Sequence, residues 1–321
     1  MNRLLYPRVN EMIRKAEHIL LLTDERIDGD TIGSTLGLYF VLKEMGKHVE
    51  VYSPQPMQPM LEFLPGVEVI QRDVSIFDQE SIDLAIVCDC SDGEYFKKDL
   101  SKLPQVPLIA FDHHESNPLY GSVNIVEPDA ASTGDVVWRF VKAMGYSMNR
   151  NAAQCLLTAI CTDTNAFTTG NTTVEAMTAA HELTAHGAKL QVIVRETMMN
   201  KSVETLKLWG LAFERLYDDK EYGALTTVIL QKDLKAIGVT ETESRAMIEF
   251  LHAMIEGVDV LLVLKENSDG DVKGSFRSTT TNVAEKAEAL GGGGHDRAAG
   301  FKIKRAHLEK QEKRWVIVKK R

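Results

Sequence analysis

Short apolar runs that end abruptly in acids constrain this chain more than any other feature. The stretch LLLTDERIDGDTIGS, residues 20–34, overlaps the apolar run His18–Leu22 and then places Asp24, Glu25, Asp28 and Asp30 within seven positions. LAIVC (Leu84–Cys88) runs into Asp89 and then Asp92, and PLIAF (107–111) runs into Asp112, His113 and His114. Apolar runs of this length suit strands covered on both faces, and the segments between them carry helical spacing. Strands are expected at His18–Leu22, His48–Tyr52, Leu84–Cys88 and 107–111, and helices at 31–45, Thr133–Met144, 152–161 and 173–186. Strands alternating with helices predict an α/β fold with a doubly wound parallel sheet. Such sheets collect ligands at the carboxyl ends of their strands.

A length of 321 residues favours two domains. His186-Gly187 reads as a helix end, which puts a first domain at 1–187, a linker helix at 188–201 and a smaller α/β domain at 202–321. That second domain is expected to contain helices at 203–217, 241–256 and 282–290, with strands at 224–230, 258–265 and 271–277. The working architecture is two α/β domains with a cleft between them. The Met- and Pro-containing stretch PQPMQPM (54–60) reads as a packed connector.

Several classes of function are disfavoured. No apolar run approaches the roughly 20 residues needed to cross a bilayer, and the N-terminal stretch lacks the apolar centre of a signal peptide. Cys88, Cys90, Cys155 and Cys161 lie in apolar surroundings with no disulfide framework, so a reducing cytoplasm is expected. A net charge of −9 argues against a broad nucleic-acid-coating surface. Residues 302–321 nevertheless carry nine Lys or Arg against two Glu, which reads as a solvated basic tail.

Four groups of candidate ligands share one kind of position, just past a strand or helix end. They are Asp24, Asp28 and Asp30; Asp89 with Asp92; Asp112-His113-His114; and Asp163 in AICTDTNAF. Each alone has a bland reading: Asp28-Gly29-Asp30 as a turn, Asp112 as a cap, Asp163 as a turn cap. Together, at ends that a parallel sheet brings to one edge, they would form a carboxylate cluster too repulsive to bury without counter-charge. Divalent cations supply it. Oxygen and imidazole donors without thiolate favour manganese, with magnesium or zinc as other options. Two such ions suit a phosphoryl displacement.

The motifs DGDTIGS, DCSD, FDHHESN and TDTNAF resemble those of the DHH phosphoesterase superfamily. GSFRST (274–279) and GGGGHDRAAGF (291–301) resemble the DHH-associated C-terminal domain, and FLPG (63–66) and ASTGDVVW (131–138) resemble stretches of shorter members. Among relatives, the length is similar to the type that degrades very short oligoribonucleotides and dephosphorylates adenosine 3′,5′-bisphosphate (pAp). That resemblance implies two divalent cations, manganese first. It assigns Asp24, Asp28 and Asp89 to one, and Asp30, Asp89, His113 and Asp163 to the other, with a water activated by the pair as nucleophile. It also implies that His114 faces the substrate and that Asp112 orients an imidazole. Asp24 stands where the family pattern His-x-x-x-Asp-x-Asp has histidine, so the spacing is kept while an oxygen ligand replaces a nitrogen and adds negative charge. Arg26 is close enough in sequence to pair with Asp24 or Glu25 instead.

In the second domain, GGGGH offers backbone N–H groups unobstructed by side chains, ahead of a small-residue run able to open a helix. With Arg277 and Ser278 at a strand end and His295 beside Gly293 and Gly294, an anion site for a substrate phosphate is expected. A site that grips one end of the substrate while another cuts would favour short substrates: dinucleotides, short single-stranded RNA or nucleoside bisphosphates. Two other readings stay open, a phosphodiesterase for linear or cyclic signalling dinucleotides and a nucleotide-binding protein impaired by Asp24. No membrane partner is expected, and a homodimer is one option.

Overall fold

The computed structural model describes residues 2–25, 27–93, 101–103, 106–239, 247–248, 251, 255, 257–312 and 314–319. It divides into two compact units, Met1–Asn200 and Lys201–Arg321. In the first, β1 (His18–Leu22), β2 (His48–Tyr52), β3 (Ile70–Gln71), β4 (Leu84–Cys88), β5 (Leu108–Asp112) and β6 (Val123–Val126) form one sheet in the order β3-β2-β1-β4-β5-β6. All its pairings are parallel. Every residue of β1 and β4 is buried, which is why these strands read as unbroken apolar runs and not as alternating ones. The edge strands β3 and β6 are too short to stand out in the sequence. Strand order reverses between β1 and β4, so the crevice past their carboxyl ends is the switch point of the doubly wound sheet.

Among the described residues this unit also holds helices α1 (Tyr6–Lys15), α2 (Gly29–Glu44), α3 (Thr133–Met144), α4 (Arg150–Asp163), α5 (Val174–Ala185) and α6 (Leu190–Val194). Their starts follow local chemistry: Asp28, Ser132 and Asn149 each accept a backbone N–H at the N-cap of α2, α3 and α4. α2 is buried on nearly every side from Gly29 to Leu38. It meets α4 so closely that a Cβ on Gly33 would lie 2.6 Å from the carbonyl oxygen of Cys155. This contact sets the start of α2 beside the end of α4. The stretch expected as a linker helix, 188–201, carries α6 and a π-helical turn, Arg195–Met199, both within the first unit.

The second unit holds α7 (Val203–Glu214), β7 (Tyr217–Asp219), β8 (Ala224–Ile229), α8 (Gln231–Ile237), β9 (Val260–Glu266), β10 (Val272–Ser278), α9 (Ala284–Glu288), β11 (Gly293–His295) and β12 (Ala298–Ile303). Its mixed sheet runs β11-β12-β10-β9-β8-β7, with β8 and β9 parallel and the other pairs antiparallel. A separate hairpin joins β13 (Ala306–Gln311) to β14 (Arg314–Lys319). The helix expected at 241–256 falls mostly outside the described residues. The run after GGGGH opens no helix: Ala298–Ile303 is a strand paired to both β10 and β11. Small residues are needed there because the strands approach closely, and a Cβ on Gly294 would lie 2.5 Å from Cα of Ala299. The basic C-terminal stretch is partly neutralised. Lys302 lies 2.8 Å from Asp269 and 3.0 Å from Asp271, and Arg314 lies 2.9 Å from Glu221. No helix among the described residues is long and apolar enough to cross a membrane. All four cysteines are buried and free.

Candidate metal centre

Asp89 follows β4 directly and sits in the left-handed region with φ +60°, an uncommon conformation that asparagine and aspartate tolerate best. Its N–H still donates to the carbonyl of Phe111 at 2.9 Å, so the ladder continues to the residue that carries the carboxylate. Thr31 and Thr133 donate their hydroxyls to its two oxygens at 2.6 and 3.1 Å. Asp30, in the first turn of α2, receives the backbone N–H groups of Thr133 and Gly134 at 2.7 and 2.9 Å. The open N-terminus of α3 thus holds a carboxylate from another helix. Asp163 ends α4, and three consecutive left-handed residues, Asn165, Ala166 and Phe167, turn the chain behind it.

The imidazole of His113 lies among these acids. Its Nε2 is 3.8 Å from Asp30, 3.8 Å from Asp163 and 4.0 Å from Asp89. His114 is turned differently: Asp112 accepts from its Nδ1 at 2.8 Å, and Asp89 lies 3.6 Å from the same nitrogen. Asp112 is fully buried. It also accepts the backbone N–H groups of His113 and His114 and the side-chain amide of Asn117. Donor atoms from Asp30, His113 and Asp163 lie within 4.8 Å of one another, as do those from Asp89, His113 and His114.

Two candidates stand outside these groups. One oxygen of Asp28 is committed to capping α2, accepting from the N–H groups of Asp30 and Thr31 and from the Thr31 hydroxyl, although its charge still reaches the cluster. Asp24 is buried, and its carboxylate adds to burial in pushing the thiol of Cys90 up to about 12. Arg26 lies outside the described residues.

The electrostatics favour a cation among these acids. Burial, then the charges of Asp89, Asp163 and Asp28, push the carboxyl of Asp30 well above its ordinary range. Burial and Asp28 do the same to Asp89, and together they raise Asp163 to about 7. Burial and the neighbouring His114 lower His113, favouring the neutral imidazole that ligates metals. The hydrogen bond to Asp112 raises His114 to about 9. Burial opposes ionisation of Asp112, but the hydrogen bonds from His114 and Asn117 outweigh it and keep this carboxylate below its usual range. Among the described residues, the His113 and His114 imidazoles are the basic groups within 4 Å of Asp30, Asp89 and Asp163, and of the two only His114 favours the cationic form. Closely packed oxygen donors with an imidazole and no thiolate fit a divalent cation.

Thr31, Asn117, Thr133, Gly134 and Asn171 were not singled out as site residues by the motif reading. Asn171 donates to Asp163 at 3.3 Å and to the carbonyl of Ala131 at 3.0 Å. The sequence signal for two of these was the pair Ser132 and Asp135 flanking Thr133 and Gly134, a helix start with an acid at its third position.

In the second unit, Arg277 and His295 both pair in register with Ala298, from the strands on either side of β12. Directly opposed residues share a sheet face, so the two basic side chains flank one alanine. Ser278 donates to Asp259, which also accepts the N–H groups of Thr279, Thr280 and Thr281. Gly293 and Gly294 belong to the β11 ladder, so they do not form a free loop.

Comparison with known proteins places both units in known families of domains. The N-terminal domain of the DHH family matches residues 18–160, and the DHHA1 domain matches residues 225–315. The bifunctional oligoribonuclease and PAP phosphatase NrnA of Thermus thermophilus is 31% identical over 95% of this chain and 90% of its own. The Bacillus subtilis protein of the same name is 26% identical over 89% of each chain. The crystal structure of an exopolyphosphatase-related protein from Bacteroides fragilis shares the fold, with a TM-score of 0.85 and 24% identity over 93% of this chain and 91% of that one. Its two domain matches in order, and a relative matched along almost its whole length, make this chain a member of the DHH family that carries a C-terminal DHHA1 domain.

Proposed function

We propose that this protein is a phosphoesterase that releases mononucleotides from very short oligoribonucleotides and removes the 3′-phosphate of pAp, using two divalent cations, manganese foremost. The observation that carries this reading is the meeting of Asp30, Asp89, His113 and Asp163 at the switch point of the sheet. The names of the Thermus and Bacillus relatives supply the substrate class. Bound there, the cations would neutralise phosphoryl oxygens and acidify the attacking water.

The chain's own residues do the rest. Peptide N–H groups hold Asp30, and two threonine hydroxyls fix Asp89, so both carboxylates are oriented before any ligand arrives. With Nδ1 held by Asp112, His114 presents Nε2 to the substrate, where it would meet a phosphoryl or leaving oxygen. Asp24 and Asp28 are proposed to complete the ligand set. Arg277, Ser278, Gly293, Gly294 and His295 would take a substrate phosphate in the second unit; the shared register of Arg277 and His295 supports this.

The test is a chromatographic assay with Mn²⁺, offering a 5′-phosphorylated RNA dinucleotide and pAp separately. Mononucleotide and AMP should appear, and both should be lost in Asp89→Ala and with chelator. Turnover that survives in Asp89→Ala would sink the proposal. If manganese binds but neither substrate reacts, signalling dinucleotides become the better reading. If Asp24→His then confers turnover, the impaired reading holds.

A further inference from the structure

The stretch ASTGDVVW supplies the N–H groups that hold Asp30, and a buried ion network stands directly behind it. Arg139, on α3, donates Nε to Asp135 Oδ1 at 3.1 Å and one terminal nitrogen to Asp135 Oδ2 at 2.8 Å. Its other terminal nitrogen reaches Glu127 at 2.9 Å and Asp129 at 3.2 Å. The guanidinium side chain is only 5% exposed, and Tyr6 donates its hydroxyl to Glu127 at 2.6 Å. Burying this many charges is a poor route to stability, because desolvation consumes most of what pairing returns. A planar fork gripping both oxygens of one carboxylate does fix geometry.

Asp135 passes that geometry to the centre. Its Oδ2 also accepts the N–H of Ala131 at 3.1 Å, and its own N–H donates to Ser132 Oγ at 3.1 Å. The turn from Ala131 to Gly134 is therefore held at both ends. From it, the N–H groups of Thr133 and Gly134 meet Asp30, and the Thr133 hydroxyl meets Asp89. The carbonyl of Ala131 accepts from Asn171, which also donates to Asp163. Three carboxylates of the cluster thus take their bearings from one turn.

We infer that Arg139 is a positioning residue for the metal centre: through Asp135 it fixes the 131–134 turn that orients Asp30, Asp89 and Asp163. This rests on the proposed metal centre and goes beyond it in naming a device that touches neither metal nor substrate. Loss of an outer hydrogen-bonding partner at a metal site typically weakens affinity about 10- to 100-fold.

The experiment is calorimetric titration of metal-free protein with Mn²⁺ at 20 °C, alongside thermal melting. Arg139→Lys, which keeps the charge and loses the fork, should weaken binding by about 10-fold or more. Ser132→Ala frees the same turn without leaving a buried charge unpaired, and decides the matter if Arg139→Lys does not fold; it should weaken binding in the same direction. Tyr6→Phe, at the far end of the network, should lower the melting temperature and leave affinity unchanged. Wild-type affinity in Ser132→Ala and in folded Arg139→Lys would overturn the inference, as would an equal loss in Tyr6→Phe. Failure of the wild-type protein to bind Mn²⁺ would instead overturn the metal centre itself.

Discussion

Stripped of divalent cations, the protein is expected to lose stability steadily as pH rises from about 4 to 7, and Mn²⁺ is expected to restore it. Asp163 is held at about 7 in the folded protein, against about 4 for an unfolded aspartate. A group whose folded pKa is raised stabilises the fold fully below its unfolded pKa, and that contribution fades as pH climbs through the folded pKa. Between those values the native state binds more protons than the unfolded one, so stability falls by up to about 1.4 kcal/mol per pH unit. The Asp163 side chain retains 31% exposure, so its full window is discounted to about 2–3 kcal/mol. Asp30 and Asp89 are shifted in the same direction by burial and mutual repulsion, and they deepen the loss. His114, raised to about 9, extends the decline between its ordinary value near 6.5 and pH 9. A cation among these groups reverses the sign of the argument, because the ionised carboxylates then become the favoured form. Melting curves at pH 5 and 7.5, with chelator or with saturating Mn²⁺, provide the check. Without metal the midpoint should fall by roughly 5–10 °C between those values, and Mn²⁺ should raise it most at pH 7.5. Midpoints indifferent to both pH and Mn²⁺ would mean that the acids are not a cation site.

Much of this centre could be read from the sequence because its ligands follow apolar runs without a spacer. Asp89 comes one residue after β4, Asp112 ends β5, and a parallel sheet necessarily gathers such ends along one edge. The groups that orient those ligands were harder to see. Thr133 and Gly134 act through backbone N–H groups, which every sequence contains, and their use depends on where α3 begins. Asn117 and Asn171 lie only five and eight residues from the carboxylates they donate to, Asp112 and Asp163, but a loop asparagine has many other uses, so its position alone does not reveal the contact. The stretch after GGGGH is compatible with a helix start or a strand, because small residues suit both. What decides between them is pairing with β10, whose ends are more than 20 residues away in sequence for every partner. Asp24 keeps a ligand's spacing, and in the fold its carboxylate lies near the Cys90 thiol, next to the strand ends that carry the close donor groups.

Replacing Gly33 with alanine should damage both stability and catalysis, although alanine is the better helix former by about 1 kcal/mol. Gly29, Gly33 and Gly37 recur at every fourth position of α2, on the face turned to α4. A Cβ at Gly33 would lie 2.6 Å from the carbonyl oxygen of Cys155 and 2.8 Å from the backbone nitrogen of Ala159. Those are backbone atoms of a buried helix, so they cannot swing aside as a side chain would, and the two helices must part. Forcing extra volume into such a contact costs about 1–3 kcal/mol, enough to lower the midpoint by roughly 5 °C. The larger effect falls on function, because α2 begins with Asp28 and Asp30 while α4 ends with Asp163. A displacement of about 1 Å between reacting groups can cost about 100-fold in rate. Gly210 in α7 provides the contrast, since a Cβ there meets nothing within 4 Å; Gly210→Ala should be neutral or stabilising by up to about 1 kcal/mol. Melting midpoints and turnover at 25 °C for both variants separate the outcomes. If Gly33→Ala keeps wild-type turnover at a lowered midpoint, the helix contact serves the fold alone. If turnover falls about 100-fold while the protein remains folded at 25 °C, the close approach of α2 and α4 is what brings Asp30 to Asp163.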